Sequence, residues 1–95
     1  MRVISHKRIR EAQERWPQSA TALQSWYAKI LHNDPISFAH MRSIFPSADF
    51  VGKLHVFDIG GSKIRLIAGV SYSTQQVFIK HVLSHAEYDK DKWKE

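Results

Sequence analysis

Seven side chains able to carry charge or a proton are threaded through the last third of the chain: Lys53, His55, Arg65, Lys80, His81, His85 and Tyr88. Strand formation asks for none of them, since branched and aromatic residues supply that preference. On or beside a sheet, they suit a phosphate-bearing substrate. A guanidinium forks onto phosphate oxygens, an ammonium adds a point charge, and an imidazole moves protons near neutral pH. Arg65 admits two readings: a salt bridge to Asp58 across a hairpin, or a clamp on phosphate. His85 and Tyr88, three apart, share one side of a helical turn. The imidazole then offers an acid or a base, and the phenol a donor, an acceptor and a stacking face. A purely structural reading has Ser84 or His85 capping a final helix with Tyr88 packed behind it. Lys53 and His55 enter a strand, where a solvated edge residue is the plainer explanation of either. His81 alternates with Lys80 and is expected to face the helices as a structural residue.

Six histidines raise the question of a metal. No two of them share an expected helix at ligand spacing with a carboxylate in reach, and the chain has no cysteine, so neither a metal site nor a cofactor is expected. The absence of cysteine also excludes disulfides and thiol nucleophiles. Phosphate-binding glycine loops and the serine-hydrolase elbow are missing as well.

The elements that must position these residues fall into two halves. Ninety-five residues with 43% hydrophobic content make one small domain, spanning 1–95, with a compact core. No leader-like or membrane-spanning run is present, so a cytoplasmic protein without membrane contact is expected. Fourteen Lys and Arg against nine acids give a net charge of +5, which favours polyanionic partners or serves solubility alone. Met1 to Ile4 reads as a short strand, with Ser5 as N-cap of a helix from His6 to Trp16 stopped by Pro17. Leu23, Trp26, Tyr27, Ile30 and Leu31 fit one helical face over residues 20–31. Ser37 caps a third short helix carrying Phe38, Met41, Ile44 and Phe45.

From Lys53 onward the period becomes two. Ile64, Leu66, Ala68, Val70 and Tyr72 line one strand face, and Lys63, Arg65, Ile67, Gly69 and Ser71 the other. The apolar face must meet the helices, so Arg65 projects from the opposite, open face. Gly60-Gly61 supplies the positive φ of a tight hairpin, Ser73-Thr74-Gln75 the next turn, and Val77 to Leu83 a third strand. Ala86 to Trp93 reads as a short charged C-terminal helix. The class is α+β: helices packed on one face of an antiparallel meander.

The segments V-F-D-I-G-G-S-K-I-R-L-I-A and I-K-H-V-L-S-H-A-E-Y-D resemble the HigB branch of the RelE-like toxins, bacterial mRNA interferases of type II toxin–antitoxin systems. The likeness extends more loosely through Phe45-Pro46-Ser47, and the helical half fits in order and length. It implies a microbial RNase-type fold with the active cleft on the open face of a twisted antiparallel sheet. It also implies metal-free cleavage of mRNA on the ribosome, the 2′-hydroxyl attacking the adjacent phosphate to leave a 2′,3′-cyclic phosphate and a 5′-hydroxyl. Carried onto this chain, Arg65 takes the phosphate-stabilising place and Lys80 a second cationic place. His85 and Tyr88 fall on the C-terminal catalytic positions, and Lys53, His55 and Lys63 on RNA-binding ones. Many RelE-like toxins carry Arg where this chain has His85, which leaves His85 as base, acid or phosphate ligand. A helix-turn-helix antitoxin of the HigA type is the implied partner, with operator DNA bound only through the toxin–antitoxin complex.

The rival class is a non-catalytic nucleic-acid-binding module, or a toxin reduced to a corepressor partner. A binder needs only cations and stacking aromatics, whereas catalysis needs protonatable groups beside the phosphate clamp. His85 and Tyr88 near Arg65 favour the enzyme.

Overall fold

The computed structural model describes residues 1–61 and 63–94. A short strand β1 (Arg2–Ile4) leads into α1 (His6–Arg15), a 3-10 turn at Pro17–Ser19, α2 (Ala20–Leu31) and α3 (Phe38–Ile44). Strands β2 (Asp49–Val51), β3 (Leu54–Ile59), β4 (Ile64–Ser71) and β5 (Gln76–Ser84) follow, and α4 (His85–Asp89) ends the regular structure. The helical stripe expected over residues 20–31 is realised, burying Leu23, Trp26 and Ile30. Ser37 caps α3 as expected, its hydroxyl accepting from the His40 amide at 3.1 Å. Ser5 departs from expectation: it makes no side-chain cap and instead adopts φ 75°, turning the chain from β1 into α1. Its carbonyl accepts the Arg8 amide at 2.9 Å, which closes that first turn.

Among the described residues the sheet has five strands in the order β1-β5-β4-β3-β2. The meander is antiparallel, but β1 runs parallel to β5, pairing Val3 with Val77, so the sheet is mixed. Strand β2 was not expected, because three residues between turns are too few to show a period. Gly60 and Gly61 take φ 62° and 65°, the left-handed turn the β3–β4 hairpin requires.

The helices cover one face. His55, Phe57 and Ile59 of β3, Ile64, Leu66 and Ala68 of β4, and Val77 and Ile79 of β5 all point into this side. Phe57 is the hub, with Trp26 and Phe45 meeting it edge-on at 5.3 and 5.2 Å between ring centres. Each such fully buried side chain contributes roughly 1.5–3 kcal/mol of transfer free energy.

The opposite face is only partly open. Val56 and Ile67 form a small second cluster there, covered by Trp93, which is 4% exposed. The expected C-terminal helix over 86–93 is thus shorter. It ends at Asp89, Asp91 takes φ 58°, and the chain folds back to lay the indole on the sheet. Trp93 Nε1 donates to the Tyr88 carbonyl at 2.9 Å, fixing the return. Apolar burial outweighs the helical preference of this charged segment.

Candidate active site

Alternation along β4 puts Arg65, Ile67 and Gly69 on the face away from the helices. Register then sets their neighbours: Asp58 opposite Arg65 on β3, and Leu83 opposite it on β5. Arg65 Nε donates to Asp58 Oδ1 at 3.0 Å, with the two side chains 12% and 29% exposed. The guanidinium carbon also lies 5.2 Å from the centre of the Tyr88 ring. Tyr88 in turn stacks on Trp93 at 4.9 Å, their planes 15° apart. The salt-bridge reading of Arg65 is therefore realised, and it does not exclude the other. The carboxylate pair holds the guanidinium and so orients it; with five N–H donors in a fixed fork, an oriented guanidinium is suited to phosphate.

Helix α4 starts at a complete capping box. Ser84 Oγ accepts the Glu87 amide at 3.2 Å, and the Ser84 amide donates to Glu87 Oε1 at 3.0 Å. Ser84, not His85, is thus the cap. Glu87 also pairs with Arg15 of α1 at 2.9 Å. The Ser84 amide is the largest cause holding the Glu87 carboxyl below its usual range, and Arg15 adds to it. This anchors the helix that presents His85 and Tyr88. His85 is exposed, and its Nδ1 lies 3.0 Å from Asp89 Oδ2, one helical turn on. Pairing of that nitrogen orients the ring.

Strand β5 carries one residue more than β4 opposite Ile67 and Ala68: Ile67 pairs with His81, and Ala68 with Ile79. Lys80 is the extra residue, a β-bulge, which resets the alternation. The expected inward placement of His81 is therefore wrong. It pairs with open-face Ile67 and is exposed, as is Lys80. A methyl group on Gly69 would sit 3.6 Å from Lys80 Cε, so the lysine stem lies across the space that glycine leaves. A cleft of about 300 Å³ lies between His81, Leu83, Glu87, Lys90, Lys92 and Trp93. Another of about 320 Å³ is lined by Leu54, Lys80, His81, Lys92 and Trp93.

Lys53 and Lys63 stand exposed in the β2–β3 and β3–β4 turns, at the rim rather than in the cleft. His55 is a different matter. It pairs with Ala68, shares the parity of Phe57, and is 3% exposed on the helix side. Phe38 and Phe50 meet its ring edge-on at 5.3 and 5.0 Å, and its Nε2 lies 2.6 Å from the Tyr72 hydroxyl. Burial lowers the His55 pKa and raises that of Tyr72. His55 is thus a core histidine in place of the expected RNA contact. The expectation failed because β2 was not foreseen: β3 is no edge strand, and Phe50 of β2 pairs with His55 and packs against its ring.

Sequence reasoning read His81 as structural and assigned no role to Lys92 or Trp93. A bulge has no sequence mark in K-H-V, but Trp93 in a charged stretch was a signal that the segment packs against something. The arrangement joins an oriented guanidinium, a phenol, the His81 imidazole and lysines on one face, with His85 exposed on the adjoining helix α4. That is the set for binding a phosphodiester and moving protons at its oxygens. Among the described residues no three of His, Cys, Asp or Glu come close enough to hold a metal ion, and no helix is long and apolar enough to cross a membrane.

Residues 19–91 match the family model of HigB toxins, described as the RelE-like toxic component of a toxin–antitoxin system. The chain is 37% identical over 93 residues to the mRNA interferase HigB of Escherichia coli O6:H1 (strain CFT073), covering 95% of this chain and 90% of that protein. It is 35% identical over 95 residues to the mRNA interferase toxin HigB of Escherichia coli K12, covering 94% and 88%. A HigB of Shigella flexneri, likewise called an mRNA interferase, matches to the same extent. The chain therefore belongs to the HigB toxin family, the RelE-like toxic components of toxin–antitoxin systems.

Proposed function

We propose that this chain is a toxin that cleaves mRNA on the translating ribosome, without a metal ion, by attack of a 2′-hydroxyl on the adjacent phosphate. The observation that carries this reading is Arg65, held by Asp58 and lying beside Tyr88 on the open face of the sheet. A guanidinium fixed before the substrate arrives stabilises the charge that grows on the phosphorane without having to reorganise. Lys80 supplies a second cation, while His85 and Tyr88 stand where protons are exchanged. Lys53 and Lys63, exposed at the rim, serve the flanking RNA backbone. Relatives named mRNA interferases over nearly their full length support the substrate.

The protein acts in the cytoplasm, where its substrate is. Its partner is a helix-turn-helix antitoxin of the HigA type, and operator DNA is reached only through that complex. The test combines growth and mapping. Expression without the antitoxin should arrest growth, and purified protein should cut mRNA in a translating reaction at concentrations that leave the same RNA intact without ribosomes. Equal cutting of naked RNA would remove the ribosome from the account, and no cutting in either reaction would leave only a binder.

A further inference from the structure

We propose that His81 is the general base of the cleavage step, accepting the 2′-hydroxyl proton of the nucleotide gripped by Arg65. This rests on the transesterification reading above. The bulge at Lys80 is the first support. Without the extra residue His81 would face the helices; with it, the imidazole joins the face of Arg65. Bulges recur beside active sites because they re-aim one side chain.

Position is the second support. Arg65 pairs with Leu83, and Ile67 with His81, so His81 is diagonal to Arg65 across adjacent strands. Such diagonal positions lie about 7–8 Å apart, a span that one nucleotide's phosphate and ribose bridge. Both clefts around Trp93 are bordered by His81. The charged groups that share its clefts are Lys80 on its own strand, Lys90 and Lys92 from the returning C-terminal segment and Glu87 from α4, while Arg65 of β4 stands diagonal to it across the strands. Glu87 is already engaged by Ser84 and Arg15. Among the described residues no group hydrogen-bonds the His81 ring, so either ring nitrogen is available to a substrate. His85, by contrast, has Nδ1 committed to Asp89.

In the step, His81 takes the 2′-hydroxyl proton as the O2′–P bond forms. The P–O5′ bond breaks, and His85 gives a proton to the departing 5′-oxygen. The products are a 2′,3′-cyclic phosphate and a 5′-hydroxyl. Solvent then returns the two imidazoles to their starting states, so protons balance.

The experiment compares wild type, His81→Gln, His81→Lys and His85→Gln on a ribosome-bound model mRNA. One substrate has a normal linkage, and the other has sulfur in place of the bridging 5′-oxygen at the scissile position. Sulfur leaves without protonation, so it bypasses the acid but not the base. His81→Gln should lose about 10²- to 10⁴-fold on both substrates. His81→Lys, which keeps a cation, should be no better, whereas the sulfur substrate should rescue His85→Gln. Wild-type rates for His81→Gln would overturn the proposal, as would rescue of His81→Gln by sulfur or full activity of His81→Lys. If wild type itself yields no cyclic phosphate, the underlying reading fails instead. Binding to the antitoxin and an unchanged melting curve verify that each variant is folded.

Discussion

The Arg65 guanidinium lies 5.2 Å from the centre of the Tyr88 ring while its Nε donates to Asp58 at 3.0 Å. One cation is therefore fixed by residues from two separate elements, β3 and α4, and the ring ties the C-terminal segment to the sheet. The same link makes Arg65 a structural residue as well as the proposed phosphate clamp.

Replacing it should show both. Arg65→Ala should slow mRNA cleavage by about 10²- to 10³-fold, as loss of a transition-state charge donor typically does. It should also lower stability by about 1–3 kcal/mol, since Asp58 is left without its 3.0 Å partner. Arg65→Lys should recover part of the stability and little of the rate, because an ammonium lacks the fork. Single-turnover cleavage and urea unfolding separate the two effects. A variant that loses stability but keeps full rate would reduce Arg65 to a structural ion pair.

Trp93→Ala uncovers Val56 and Ile67 and removes the ring on which Tyr88 stacks. The expected result is local. Amide exchange should quicken across residues 90–94 and at Tyr88, while overall stability falls by about 1–3 kcal/mol. Cleavage should slow in parallel, since Tyr88 and Arg65 lose their backing. Unaltered exchange at Tyr88 would contradict this linkage.

Phe57 and His55 lie two residues apart on β3 and both face the helices, so period two along β3 puts them on one side. That reading found the inward faces of β4, the Gly60-Gly61 hairpin, α2 and the open-face position of Arg65. It misplaced His55 because β2, too short to show a period, covers β3 on what was read as an edge, and His81 because a bulge depends on how two strands pair rather than on either strand alone. The return of Trp93 was hidden for a related reason. Residues 90–94 look helical and solvated in isolation, and only the apolar patch left by Val56 and Ile67 gives the indole a place.

His55 makes stability depend on pH. Burial lowers its pKa in the folded state, so the unfolded chain binds the proton more readily. The stability that neutral His55 contributes is complete above the unfolded value of about 6.5. It is lost as the pH falls from there through the lowered folded pKa. Urea midpoints should therefore drop on acidification across that window, and His55→Phe should flatten this part of the profile. An identical slope in the variant would assign the acid sensitivity to other groups.

Metal independence is testable apart from the ribosome's own magnesium. On a short RNA cleaved at high toxin concentration, EDTA should leave the rate within about twofold, since the charge is supplied by side chains. A strict requirement for a divalent ion on that substrate would return the histidines to consideration as ligands.

The central claim is that the open face, organised around Arg65, catalyses transesterification by a 2′-hydroxyl. The chemistry of the fragment ends tests it most directly. mRNA recovered from a translating reaction should carry 2′,3′-cyclic phosphates upstream of each cut and 5′-hydroxyls downstream, and both should vanish with Arg65→Ala. Fragments ending in 3′-hydroxyls and 5′-phosphates, or cyclic phosphates formed equally by Arg65→Ala, would contradict it.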